Sequence, residues 1–250
     1  MITRRQVVTN AGLVGAAYAA GYLTPIGRVA AGFIAKCGGQ APAQVLPLGA
    51  PALPPPKHPY ELLFTRLIPV DGNSTSFCGL ARNNTPSLSN IEVSMRFYTN
   101  GVKVGEAQDF AFVDVIPPGG VSPFLVSTDA PMPAGVKVVV EADGSGTLDS
   151  LPHIQIVRSR LALDASGIPI LSGIVRNVGD GTANTVGVAV AFFGKDGTVL
   201  YAYQAFADQQ QLIPQATSSF NFSATTHGTA LTIPQGAVSY QLYATGIGPV

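Results

Sequence analysis

Three histidines (His58, His153, His227), two cysteines (Cys37, Cys78) and no tryptophan are the scarce chemistry-bearing residues of this 250-residue chain. No histidine has a serine or cysteine nucleophile beside it in a local motif, and all three are expected at the surface. The composition therefore predicts no catalytic residues, no bound cofactor and no metal cage. Asp143-Gly144-Ser145-Gly146-Thr147-Leu148-Asp149 spaces side-chain oxygens like the first half of a calcium loop, but the twelfth position is Ile154 where a glutamate is needed. A flexible hinge at Gly144–Gly146 explains the same letters. Asn73-Ser74-Thr75, Asn83-Asn84-Thr85 and Asn221-Phe222-Ser223 match the glycosylation acceptor pattern, which chance can also supply.

The N-terminus carries a different kind of signal. Arg4-Arg5 precede an uncharged run over residues 6–27, and 22 helical residues span about 33 Å, enough for a hydrocarbon core of roughly 30 Å. The paired arginines and mild apolar flank resemble a twin-arginine export signal, with the arginines inside and everything after residue 36 outside. Val29-Ala30-Ala31 and Ala17-Tyr18-Ala19 are poor cleavage sites, so residues 1–36 are expected to remain as an anchor helix. Gly12, Ala16 and Ala20, with Gly15 and Ala19, would make one side of that helix smooth enough for close packing with another membrane helix. An Ala/Gly-rich signal segment would look the same. Cys37 follows Lys36, which departs from the lipoprotein pattern. In an exported chain Cys37 and Cys78 could form a disulfide, or both could be free thiols.

Residues 42–59 hold seven prolines, which remove backbone donors and fix φ. The linker, residues 37–56, is thus expected to be extended polyproline II, a semi-rigid spacer or a strand laid along a neighbouring surface.

Beyond it the chain repeats. At an offset of 94, Arg66-Leu67 falls on Arg160-Leu161, Gly79 on Gly173, Arg82-Asn83 on Arg176-Asn177 and Asn90 on Asn184. With small drifts Phe97 meets Phe192, Gln108 meets Gln204, and Ile116-Pro117 meets Ile213-Pro214. The copies occupy residues 57–148 and 149–250. In the second, Ile154–Leu163, Ile170–Asn177, Thr185–Phe193, Val199–Phe206, Ser218–Ser223 and Val238–Thr245 alternate or are β-branched, and Lys195-Asp196-Gly197 signals a hairpin. Val186, Val188, Val190 and Phe192 should point inward, leaving Gly187, Ala189 and Ala191 as a small outer face that another protein could cover. The Arg-Asn pairs end matched strands, where Asn tolerates left-handed backbone and Arg can bond loop carbonyls or stack on a ring.

The fold class expected is all-β: two tandem immunoglobulin-like antiparallel β-sandwiches behind an N-terminal transmembrane helix and a Pro-rich linker. The run Gly173-Ile174-Val175-Arg176-Asn177, Phe192-Phe193, Asp196-Gly197 and Ile213-Pro214, with weaker counterparts in the first copy, resembles the FxLYD-type domains. That resemblance implies extracytoplasmic β-sandwiches in tandem on envelope proteins, with no shared catalytic residues.

Charge narrows the partners. Lys+Arg and Asp+Glu balance at 14 each and charged residues make up only 11%, so no basic field attracts nucleic acid. The expected function is a non-catalytic, single-pass membrane protein whose C-terminal domains lie on the periplasmic or extracellular side. It would brace other protein subunits of a membrane complex, respiratory or photosynthetic. The alternatives are a filament or surface-layer subunit whose N-terminal segment adds a strand to the next copy, and a carbohydrate or small-ligand module needing Tyr201, Tyr203, Tyr240 and Tyr243 as an exposed platform. The first copy should sit near the membrane and the second farther out, beyond the hinge.

Overall fold

Short β-branched runs between Gly/Pro turns can bury apolar area only by pairing edge to edge, and that is what the chain does. A computed structural model describes residues 46–70, 74–128, 136–147, 149–222 and 231–248. Twelve strands cover them, with no helix among the described residues: β1 (Tyr60–Val70), β2 (Ser74–Asn83), β3 (Ser89–Thr99), β4 (Val102–Phe110), β5 (Val121–Thr128), β6 (Lys137–Gly146), β7 (Ile154–Leu163), β8 (Pro169–Asn177), β9 (Asn184–Gly194), β10 (Val199–Phe206), β11 (Thr217–Phe222) and β12 (Ala237–Ile247). All six strands expected in the second copy form, with ends within two residues of expectation.

Four three-stranded antiparallel sheets result, ordered β1-β2-β5, β4-β3-β6, β11-β8-β7 and β10-β9-β12. Adding six to each strand number of the first copy gives the sheets of the second, so the sequence repeat is also a topological one. The anchor-helix residues Gly12, Gly15, Ala16, Ala19 and Ala20 lie outside the described residues, as do Cys37 and His227.

The repeated Gly-x-x-Arg-Asn strand has a physical explanation in each copy. A Cβ on Gly173 would stand 2.3 Å from the Arg158 carbonyl oxygen and 2.6 Å from the Phe220 ring. One on Gly79 would meet the Leu63 carbonyl at 2.9 Å and the Phe124 ring at 3.0 Å. In both copies the first strand bulges beside this glycine, between Leu63 and Arg66 and between Ile156 and Arg158, while a phenylalanine from the fifth strand lies over it. Four residues on, Asn83 and Asn177 are buried and pin the crossing loops. Asn83 Nδ2 donates to Ser87 O and Ile116 O at 2.8 Å each; Asn177 Nδ2 donates to Gly181 O at 2.7 Å and Leu212 O at 2.8 Å. Neither asparagine has left-handed backbone, and burial removes Asn83 as a glycan acceptor. The matched bonds also correct the alignment by one residue, because Ile116 corresponds to Leu212 and not to Ile213.

A larger correction concerns the joint between copies. Gly144–Gly146 is no hinge: all three residues belong to β6 and pair in register with Ile91, Asn90 and Ser89. The small face of β9, expected to be open to another protein, is covered by the chain itself. Gly187, Ala189, Ala191 and Phe193 turn toward the first copy, and β10 lies against β1, β2 and β5. Alanine and glycine let the two backbones approach closely, so both β2 and β9 are buried along nearly their whole length. One apolar core joins Ile68, Cys78, Leu80 and Leu125 of the first copy to the interior of the second, and a separate cluster around Met95, Phe97 and Phe124 fills the first. Polar bonds fix the register across the joint: Gln204 Nε2 donates to Phe112 O at 3.0 Å, and the Thr245 hydroxyl donates to Asp114 Oδ2 at 3.2 Å. Phe64, left-handed at φ 54° in the β1 bulge, packs its ring on this shared core. Left-handed backbone costs a non-glycine residue on the order of 1–2 kcal/mol, which ring burial offsets.

Candidate functional site: the proline strap and the free sheet faces

The extended linker becomes a strap across both copies. Tyr240 N donates to Pro47 O at 3.1 Å and Gly49 N donates to Tyr240 O at 2.7 Å, so Leu48 forms a parallel bridge on the outer edge of β12. Pro51 then packs at the Gly197 turn, and the Pro54 carbonyl accepts from Arg82 Nη1. From Leu46 onward the linker is thus laid along the chain's own two copies.

Beneath the strap lies a buried ion pair. Arg82 Nη2 donates to Glu61 Oε2, and the pair is almost entirely screened from solvent. Glu61 also accepts from Lys57 N at 2.5 Å, His58 N at 3.0 Å and Asn84 Nδ2 at 3.0 Å. Burial alone would push its carboxyl up, but the bonds from Arg82, Asn84 and the two amides outweigh that and hold it at about 2. In the second copy the register-matched pair is Gln155 and Arg176, both exposed, and Arg176 reaches Gln215 instead. Sequence reasoning gave Arg82 a carbonyl partner but missed Glu61; the Glu61-to-Gln155 difference at an offset of 94 was the available signal. Beside this pair, Pro54, Lys57, Tyr60, Glu61, Leu63 and Val140 help line a cleft of about 370 Å³.

The other sequence-selected residues separate. His58 and His153 are exposed, as expected. Cys78 is a free, fully buried thiol that donates to Val199 O at 3.4 Å, and burial pushes it up to about 12, far from a reactive thiolate. The aromatic platform fails as a surface. Tyr201 and Tyr203 do share a face, ring centroids 4.6 Å apart, but that face is the interior: Tyr201, Tyr203 and Tyr240 are buried, and Tyr203 donates to Thr232 O. Asp143 is a β6 residue, and no group of three or more His, Cys, Asp and Glu gathers among the described residues.

Among the described residues, two sheet faces remain uncovered. The outer face of β4-β3-β6 carries Arg96, bonded to Glu106 and Glu141, with Lys103 on Glu106. The outer face of β11-β8-β7 carries Arg158, Arg160 and Arg176, all exposed.

No family model matches the chain, and no curated protein does. Among solved structures, a GH2 beta-galacturonidase from Eisenbergiella tayi bound to glycerol is 14% identical over 71% of this chain and 34% of its own, with a TM-score of 0.23. The D341A D367A calcium-binding mutant of Bacteroides uniformis beta-glucuronidase 2 is 14% identical over 59% of this chain and 21% of its own, at a TM-score of 0.18. Red sea bream transglutaminase is 11% identical over 74% of this chain and 31% of its own, also at 0.18. The chain spans 21–34% of the length of these proteins, and likeness at such scores carries no argument about fold or chemistry.

Proposed function

We propose that the chain is a non-catalytic, membrane-anchored envelope protein whose two repeats, each an immunoglobulin-like sandwich of the FxLYD type, brace other subunits on the extracytoplasmic side of a membrane complex. The observation that carries this reading is the strap. It ties the segment behind Arg4-Arg5 to both repeats at once, through Tyr240 and Arg82. A brace must resist bending, and a shared core with a stapled joint supplies stiffness that two domains on a hinge would lack. The test is intact-mass measurement of the native protein extracted in mild detergent: retained residues 1–36 and co-purifying subunits are expected. A lone monomer, or a chain cleaved before the strap, would sink the reading.

The bridge on β12 also favours a second reading, a filament subunit. The same Pro47–Gly49 pairing could be made on the next copy in place of the parent chain. Fibres in electron micrographs of the purified protein, abolished by deleting residues 46–49, would select it.

A further inference from the structure

The open face of β11-β8-β7 has an unusual charge pattern. Its three strands contain three arginines, Arg158, Arg160 and Arg176, and no acidic residue, in a chain where acidic and basic residues balance overall. Register places all three on the same side. Arg160 stands opposite Ser172 and Arg158 opposite Ile174, and these alternate with the buried Leu171 and Val175. Arg176 follows two residues after Ile174. Carboxylates border the face at Asp208, which accepts from Ser219 Oγ, and at Asp164 in the β7–β8 turn. Ser219, which holds Asp208, stands opposite Ile174 on the rung of Arg158, and Arg176 Nη2 donates to Gln215 Oε1, so the three exposed guanidiniums share the face with that bordering carboxylate and with the exposed Val157.

The path of the chain points to what covers it. Forty-five residues precede Leu46, including an uncharged run long enough to cross a bilayer. The strap joins the folded body on β12, and β12 packs beside β7, the strand that bears Arg158 and Arg160. An anchor in that leading segment would therefore enter the body beside the strand that bears Arg158 and Arg160.

We propose that the outer face of β11-β8-β7 docks on the surface of an anionic lipid bilayer, with Arg158, Arg160 and Arg176 set against lipid phosphates. This orientation builds on the anchored reading above, but the charge pattern stands independently of it. Each arginine near an anionic surface should strengthen the contact by about fivefold, with an effect confined to a Debye length of about 8 Å at physiological salt.

The chain lacks tryptophan, so Ser172→Trp in the full-length protein provides a single reporter at the centre of the face. Energy transfer from it to dansyl-labelled headgroups is measured in vesicles of phosphatidylcholine alone and with phosphatidylglycerol. Efficient transfer is expected only with phosphatidylglycerol. It should fall about fivefold in apparent affinity with each of Arg158→Gln, Arg160→Gln and Arg176→Gln, and collapse in 1 M salt, where the Debye length is about 3 Å. Equal transfer in both lipids, or transfer that survives the three substitutions, overturns the proposal. So does a reporter that no lipid approaches but that a co-purifying subunit shields from acrylamide in native membranes, which would assign the face to a protein. Flotation with phosphatidylcholine vesicles reads the anchor separately, because it needs no anionic lipid. A chain that fails to float there, yet shows arginine-dependent transfer with phosphatidylglycerol, would remove the anchor and keep the docking face.

Discussion

At the residue scale, the same strand position serves opposite purposes in the two copies. Arg82 is buried because the strap covers it, and a buried guanidinium needs full compensation, which Glu61 and the Pro54 carbonyl supply. Arg176 has no strap above it and stays in water. Glu61 has a pH signature that follows from its lowered pKa. Its folded value, about 2, lies below the ordinary 4.5, so the unfolded chain takes up the proton first. The stabilisation from this group is therefore complete above pH 4.5 and is lost as pH falls from there toward 2. Urea unfolding at a series of pH values should show Glu61→Gln less stable than the parent at pH 7, with a shallower decline between pH 4.5 and 2. Equal stability at pH 7 and equal acid slopes would show that the pair contributes nothing. Sequence alone made the asparagines legible as structural but not their geometry, because a side chain that bonds two loop carbonyls carries the same letter as one that tolerates left-handed backbone.

At the element scale, strands, turns and repeat were readable because each depends on local pattern. Asn100 and Gly101, at φ 51° and 81°, close the first copy's hairpin with the left-handed pair that an Asn-Gly turn requires. What covers a face is not a local property. The smooth side of β9 was visible as Gly187, Ala189 and Ala191, but only tertiary packing decides whether another protein or the next repeat lies on it. The matched positions in β3 are Glu92, Ser94 and Arg96, an outer face left to water. This contrast makes a paired test. Ala191→Arg would bury an unpaired charge in the joint and should cost several kcal/mol or abolish folding. Arg96→Ala, on an exposed ion-pair network, should leave the melting temperature nearly unchanged. If Ala191→Arg melted like the parent, the joint would not form in solution.

At the scale of the whole molecule, the chain is a two-repeat stack whose inner faces are apolar and whose outer faces are polar, the arrangement that ends a repeat array. Substitution at matched positions shows how. Where Cys78, Leu80 and Leu125 of the first copy meet the second, the corresponding outer positions of the second are Ser172, Ile174 and Asn221. Stacking a third repeat on that face would bury less apolar area than the joint between the two copies does. Shared core and strap should also make unfolding a single event, unlike two domains on a hinge, which would melt independently. Removing residues 1–45 should leave this transition intact, because the strap remains. Removing residues 1–56 takes away both bonds to Tyr240, the Pro51 contact at Gly197 and the carbonyl that Arg82 uses. With about 1 kcal/mol for each lost hydrogen bond and more for a buried donor left unmet, the loss is roughly 2–4 kcal/mol, or roughly 5–10 °C for a body of this size. Calorimetry of the two truncations decides the matter. One transition in each, with the shorter chain melting several degrees lower, is expected; two transitions, or equal midpoints, would mean that the strap only rests on the repeats and does not join them.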